Sequence, residues 1–184
     1  SAVAASAPER VFQVTAVVPF GPASTGPMAL KPGDMITAVD DKPFAEDDSL
    51  ESILRGKVGR EVAVTFRRQL KEGEPRVELS ALFTPISYER DTDLRYTWWC
   101  RKNAELVEEW SGGKLGYLHI RGMSEPSLVA FERDLYAAVY GKGGLLVDVR
   151  SNGGGWTADR ILVSLITPAH SYTVPRGGTP NPDA

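Results

Sequence analysis

Apolar and polar positions repeat with a period of two through much of the first half of the chain and with a helical period through the second. "VFQVTAVV" (Val11–Val18), "MITAVD" (Met35–Asp40), "EVAVTFRR" (Glu61–Arg68) and "RVELSALF" (Arg76–Phe83) read as short strands. Turn residues separate them. "PFGPAST" is a loop, "GPMAL" a short helical turn, "KPGD" a tight turn, "DDKPF" another, and "QLKEGEP" a hairpin connection. One amphipathic helix is predicted from Ser49 to Arg55, where Leu50, Ile53 and Leu54 share a face behind the acidic turn "EDD".

The second half changes character. "LRYTWWCRKNAELVEEW" places Tyr96, Trp99, Leu106 and Trp110 near one helical stripe, closed by Gly112 and Gly113. "KLGYLHI" reads as a strand. "SEPSLVAFERDLYAAVYGKGG" reads as a helix with Ser124 as N-cap and Leu128, Phe131, Leu135 and Val139 on one face. "LLVDV" is an apolar strand, and "WTADRILVSLI" a helix whose Ile161, Leu162, Leu165 and Ile166 are expected to point inward. Pro168 ends that helix, and "VPRGGTPNPDA" is expected to be loop. Strand, helix, strand, helix implies an α/β layer with a right-handed crossover. The change of period across "FTPISYERD" predicts two domains, residues 1–85 and 86–184.

Composition narrows the function. The 184 residues are 42% hydrophobic and 24% charged with a formal net charge of -3, so no basic face for nucleic acid or polybasic stretch for a membrane surface is expected. Cys100 is the single cysteine, which excludes an internal disulfide framework and a cysteine-rich metal site; neither metal nor cofactor is expected. No apolar run approaches a membrane span, and Ser1–Pro8 lacks the pattern of a signal peptide. Without an initial Met and with an abrupt "TPNPDA" ending, the chain reads as a piece of something longer.

The densest chemical signal is "DVRSNGGGWTADRI" (Asp148–Ile161), three consecutive glycines between a strand and a helix. Each glycine costs roughly 0.5–1 kcal/mol against alanine in regular structure, so the run needs a geometric reason. Gly153, Gly155 and Ala158 satisfy a relaxed dinucleotide fingerprint, but no acidic residue follows at the ribose-binding distance. A phosphate loop lacks its lysine and hydroxyl residue, since Trp156 and Thr157 follow instead. Two readings stay open: a nest of backbone N–H groups for a transition-state anion, or a tight turn without chemistry.

"VVPFGPASTGPMALKPGDMITAVDDKPF" with "LESILRGKVGREVAVTFRR" resembles a PDZ domain of the rearranged bacterial type. The resemblance implies a small β-barrel that captures peptides by strand addition, in a groove between a sheet edge and the helix bearing Leu50, Ile53 and Leu54. The glycine-containing loop that would hold a peptide carboxylate is not recognisable in "SAVAASAPER". A spacer without peptide binding is the competing reading.

The run from "LRYTWWCRKNAELVEEW" through "GYLHI" and "LLVDVRSNGGG", followed by "PRGGTP", is similar to the core of tricorn-type serine peptidases, relatives of the C-terminal-processing peptidases. The resemblance implies an α+β chain, with a PDZ-like domain before a partial α/β, crotonase-like peptidase core. In such enzymes a serine attacks a peptide carbonyl, a histidine acts as base, and the loop matching Asn152–Gly155 supplies an oxyanion-hole N–H, assigned here to Gly155. The base precedes the PDZ domain and the nucleophile follows the matched segment, so neither is expected in this chain, which alone is expected to be inactive. His119 is read as a structural strand histidine, His170 as a solvated loop residue, and Ser151 and Ser164 as lacking an oriented base. Asp148 and Arg150 form either a structural ion pair or a substrate contact, and Trp98, Trp99 and Trp110 are read as core. The resemblance further implies peptide or unfolded-protein substrates, a homo-oligomeric parent whose copies cover an incomplete sheet, and a cytoplasmic location, with a secreted or periplasmic one as the alternative. A non-catalytic PDZ scaffold is the alternative function.

Overall fold

The computed structural model describes residues 10–166, 171–173 and 181–183. Two compact units divide between Trp99 and Cys100. Each contains its own hydrophobic cluster.

The first unit holds β1 (Phe12–Gln13), β2 (Met35–Val39), β3 (Lys42–Pro43), α1 (Leu50–Leu54), β4 (Val62–Arg68) and β5 (Val77–Phe83). The strands form one antiparallel sheet in the order β1-β2-β4-β5, with β3 folded back on β2. The two-residue turn between β2 and β3 puts Asp40 and Asp41 at φ 50° and 59°, the positive values that match a hairpin's twist and that aspartate tolerates better than most residues. Alternation along β4 buries Val62, Val64 and Phe66, which meet Ile36 and Val39 of β2 in the core. Ser49 and Ser52 cap α1 reciprocally, each hydroxyl accepting the other's backbone N–H at 3.0 Å.

Two local expectations change. The strand expected over Val11–Val18 is paired only at Phe12–Gln13, extended by the backbone bonds of Val14 to Gly33 and Asp34. Beyond Val14 the chain runs past the turn that begins β2, and among the described residues no strand pairs with it. The helical turn expected at "GPMAL" lies earlier, at Pro22–Ser24, where proline sits at the helix start and the Ser24 hydroxyl donates to the Gly21 carbonyl.

One buried ion pair pins this unit. Arg68, at the end of β4, donates from Nε and Nη2 to the two carboxylate oxygens of Asp34 at 2.8 and 2.6 Å, and from Nη2 to the Ala29 carbonyl. Burial pushes the Asp34 carboxyl up, but the Arg68 hydrogen bond, the Lys31 N–H and the nearby positive charges outweigh it and hold the group below the usual carboxylate range.

Next come α2 (Tyr88–Ser111), β6 (Leu115–His119), α3 (Glu125–Val139), β7 (Gly144–Asp148), α4 (Ala158–Ile166), β8 (Ser171–Thr173) and β9 (Asn181–Asp183). The unit boundary falls inside α2, which starts six residues before the expected Leu94 because Ser87 caps it, accepting the N–H of Arg90. β6 and β7 pair in parallel from Leu115↔Gly144 to His119↔Asp148, and α3 crosses between them. Leu128, Phe131 and Leu135 of α3 pack on Leu118 and Ile120, with Val139 at the margin, as the period predicts.

Gly116 has a strict geometric reason. A Cβ there would stand 1.9 Å from the Ala138 carbonyl oxygen of α3, so the helix backbone lies directly on the strand. Three expectations fail over these later elements. Only Ile161 of the expected inward face of α4 is buried, while Leu162, Leu165 and Ile166 are exposed, because among the described residues α3 is the main element packed on α4. Trp110 is 78% exposed and Trp98 40%, so the tryptophans of α2 are not a core set. Residues 181–183, expected as loop, pair antiparallel with β8. Pro168, His170 and "PRGGTP" lie outside the described residues. No described helix is long and apolar enough to cross a membrane.

The Asp34→Asn variant should lose about 3–5 kcal/mol, the cost of leaving a buried partner uncompensated. Because the folded pKa of Asp34 lies below its unfolded value, this stabilisation is present above about pH 4 and is lost as pH falls through the folded pKa. Urea unfolding between neutral and acid pH checks both points, with a flatter profile expected for the variant. Gly116→Ala should destabilise the second unit by about 3 kcal/mol, the upper end of overpacking costs, seen as a lowered Tm.

Candidate functional site

Two places concentrate the features expected of a site. The first is a groove of about 1150 Å³ in the first unit, walled by Phe12, Val14 and Val17 on the β1 side and by Leu50, Leu54 and Val58 on the α1 side. Its lining is mainly apolar, with Glu51 and Arg55 of α1 at the rim. Ile53 does not line it; its side chain packs on the core, and Leu54 serves both places. β1 is last in the sheet order. Among the described residues, Thr15, Ala16 and Val17 use neither their N–H nor their C=O groups in backbone hydrogen bonds. A segment of backbone with unspent donors and acceptors beside an apolar groove has the chemistry that strand addition needs.

The second place is the joint between β7 and α4. Its base is Asp148, the last residue of β7, 6% exposed. The carboxylate accepts the Tyr117 hydroxyl at 2.7 Å, the Arg150 backbone N–H at 2.9 Å and the Arg150 guanidinium at 2.5 to 3.0 Å. The Arg150 bond, with help from its backbone N–H and Tyr117, holds Asp148 far below the usual carboxylate range against its burial. Burial, then the Asp148 bond, pushes the Tyr117 hydroxyl well above its ordinary value, and the Asp148 bond raises Arg150 further. None of the three changes protonation near neutrality, so the cluster is a fixed ionic support and not an acid–base pair. The structural ion pair that the sequence allowed is formed. His119 lies in β6, and its Nε2 meets the Arg150 carbonyl at 2.9 Å, which ties the imidazole to the same support.

From this support the chain turns sharply. Asn152 N–H donates to the Val149 carbonyl at 3.1 Å, with Ser151 at φ 61° in the turn. Gly154 follows at φ 80°, a region that glycine enters at no steric cost. Gly155 has a different reason. A Cβ there would stand 2.6 Å from the Met123 carbonyl oxygen and 2.7 Å from the Met123 Cβ, so the loop lies against the segment between β6 and α3. A Cβ on Gly153 would meet nothing within 4 Å.

The donors of this loop divide sharply. Gly154 N–H is spent on the Asn152 Oδ1 at 2.9 Å. Among the described residues, the N–H groups of Gly153 and Gly155 have no acceptor, and both residues are exposed. They lie five and three residues before the first residue of α4, Ala158, on the loop that leads into it. Trp156 beside them is 70% exposed. Thr157, fully buried before α4, accepts the Ile161 N–H through its carbonyl, and its Oγ1 has no partner among the described residues. Asn152 carries more of this geometry than sequence reasoning gave it. The only signal was an amide side chain next to glycines, a residue type that readily bonds its own backbone two positions on.

A family profile described as PDZ domain matches residues 5–79. The tricorn protease of Thermoplasma volcanium is 35% identical over 150 residues, 82% of this chain and 14% of that protein. Tricorn protease homolog 1 of Streptomyces coelicolor is 34% identical over 83% of this chain and 14% of its own length. A crystal structure of the tricorn protease superposes with a TM-score of 0.58 at 27% identity, over 82% of this chain and 14% of that one. The chain therefore corresponds to about one seventh of these relatives, given the 14% coverage of each. The PDZ match at residues 5–79, together with homology to tricorn proteases over 82% of the chain, makes this chain a fragment of a tricorn-type protease.

Proposed function

We propose that this chain is the PDZ-bearing segment of a serine endopeptidase that degrades peptides or unfolded proteins, and that the N–H of Gly155 stabilises the oxyanion formed when the scissile carbonyl is attacked. The observation that carries this reading is the pair of exposed residues Gly153 and Gly155, whose N–H groups have no acceptor among the described residues, before α4 in a chain homologous to tricorn proteases over 82% of its length. Such donors act where negative charge develops, and removing one typically costs roughly 2.7–4 kcal/mol of barrier. The nucleophilic serine and the base histidine belong, in this reading, to parts of the protein beyond these residues. The domains are 1–85, PDZ-like, and 86–184, the first part of a crotonase-like peptidase core. The full protein works as a homo-oligomer in the cytoplasm. Exposed Leu162, Leu165 and Ile166 on α4 support a covering surface there, supplied by the rest of the core or by another copy.

The groove is assigned to peptide capture. An extended segment pairs with the backbone of Thr15–Val17 and sets apolar side chains against Leu50 and Leu54, with Ile53 holding α1 to the core. The competing reading, a scaffold without catalysis, shares the groove and differs at the glycine loop.

The 184-residue chain alone should not hydrolyse peptides, whereas the full-length protein should release product with a burst that reports an acyl-serine intermediate. In the full-length protein, Gly155→Ala should lower kcat by roughly 10²–10³ with little change in KM, since the contact strengthens only as charge develops. Steady-state kinetics with thermal melting as a folding check measures this; near-normal turnover in a folded variant would reduce the loop to a tight turn. Leu50→Ala should weaken peptide binding to the isolated chain about tenfold by calorimetric titration, in line with roughly 1.4 kcal/mol of lost apolar contact. Unchanged affinity would assign the groove to something other than peptide.

A further inference from the structure

We infer that Asn152 is a positioning residue: its side-chain amide fixes the shape of the glycine loop and decides which of the glycine N–H groups remain available. The inference rests on the oxyanion reading of the loop and adds to it the residue that holds the donors in place.

The amide works at both ends. Its Nδ2 donates to the Ile120 carbonyl at 2.9 Å, just past the end of β6, and its Oδ1 accepts the Gly154 N–H at 2.9 Å. Ile120 in turn donates its own N–H to the Asp148 carbonyl at 2.9 Å. Asn152 thus continues by side chain the pairing of β6 and β7 after the backbone ladder has ended. Between Ser151 and Gly155 it is the one side chain that makes a hydrogen bond among the described residues.

The clamp has consequences for the donors. Three successive glycines sample many conformations, and the positive φ values at Ser151 and Gly154 persist only where surroundings fix them. By accepting the Gly154 N–H, Asn152 removes the middle donor from competition and leaves its two neighbours open. The role needs one donor and one acceptor on the same short side chain. Aspartate keeps the acceptor but loses the donor, and serine offers a single atom for both. A donor displaced by about 1 Å from the oxyanion position can cost roughly a hundredfold in rate, so a clamp of this kind acts on turnover without touching substrate.

The test has two readouts on Asn152→Ala and Asn152→Asp. In the ¹⁵N-labelled 184-residue chain, Asn152→Ala should accelerate Gly154 amide exchange at least tenfold and shift the Gly153 and Gly155 resonances, with Leu118 and Leu128 unchanged. In the full-length protein the same variant should lower kcat about a hundredfold at nearly constant KM. Asn152→Asp should keep Gly154 protected, because its acceptor remains, and should lose an intermediate part of kcat. Unchanged Gly154 exchange in Asn152→Ala would overturn the clamp alone, with the loss from Gly155→Ala still standing. Accelerated exchange with normal kcat would overturn the positioning role, while the oxyanion reading stands or falls with Gly155→Ala. If core amides also accelerate in Asn152→Ala, the aspartate variant decides, and full kcat in that variant would overturn the inference.

Discussion

The second unit depends on one close approach, the α3 backbone at Ala138 against Gly116 of β6. A parallel strand pair needs a long crossover, and the crossover must lie on the sheet for the apolar side chains of both to meet. With no side chain at Gly116, α3 settles deeply enough for Leu128, Phe131 and Leu135 to bury against Leu118 and Ile120. That contact anchors the C-terminal end of α3, while Met123 lies before its other end, in the segment between β6 and α3. Met123 then sets the place of Gly155, whose missing Cβ lets the glycine loop rest on it. Two glycines 39 residues apart thus each admit a backbone that a Cβ would exclude, one at each end of α3.

The polar groups at the same end of the sheet have a complementary task. β7 ends on a buried carboxylate, which would be costly without compensation. Tyr117 and Arg150 compensate it from a neighbouring strand and from two residues on. Their protonation states are locked over the physiological range, so the strand end is electrostatically rigid. Rigidity suits a loop whose proposed task is to hold donors still while charge develops nearby. The first unit uses the same device at Arg68 and Asp34, where a buried pair joins the end of β4 to the turn that starts β2.

Much of the molecule was legible in the sequence because its patterns are local. Period-two alternation marked β4 and β5, whose faces are set by neighbours two residues away. Helical spacing marked α1 and α3, and the run "LLVDV" after Gly143 and Gly144 marked β7. "GYLHI", "SNGGG" and the PDZ-like run carried the family likeness, which homology across 82% of the chain supports. The strand-to-helix joint was likewise placed from punctuation alone.

What the sequence could not decide were matters of partnership across distance. Val11–Val18 has strand composition throughout, yet only two residues form β1, because a strand lasts only as long as a neighbour lies beside it. The apolar period of α4 and the tryptophans of α2 announced burial, but exposure depends on what else packs there, and Leu162, Ile166 and Trp110 remain open. Glycine spacing could suggest a nest for an anion. Only the fold could reveal that Gly155 is bare because Met123 lies behind it, and that Asn152, through a carbonyl 32 residues away, selects the N–H groups left to act. Sequence determined which segments could form strands, helices and a tight glycine joint, since those depend on local sterics and periodicity. Tertiary structure determined which donors stay unspent, since a hydrogen bond exists only where two distant parts of the chain meet.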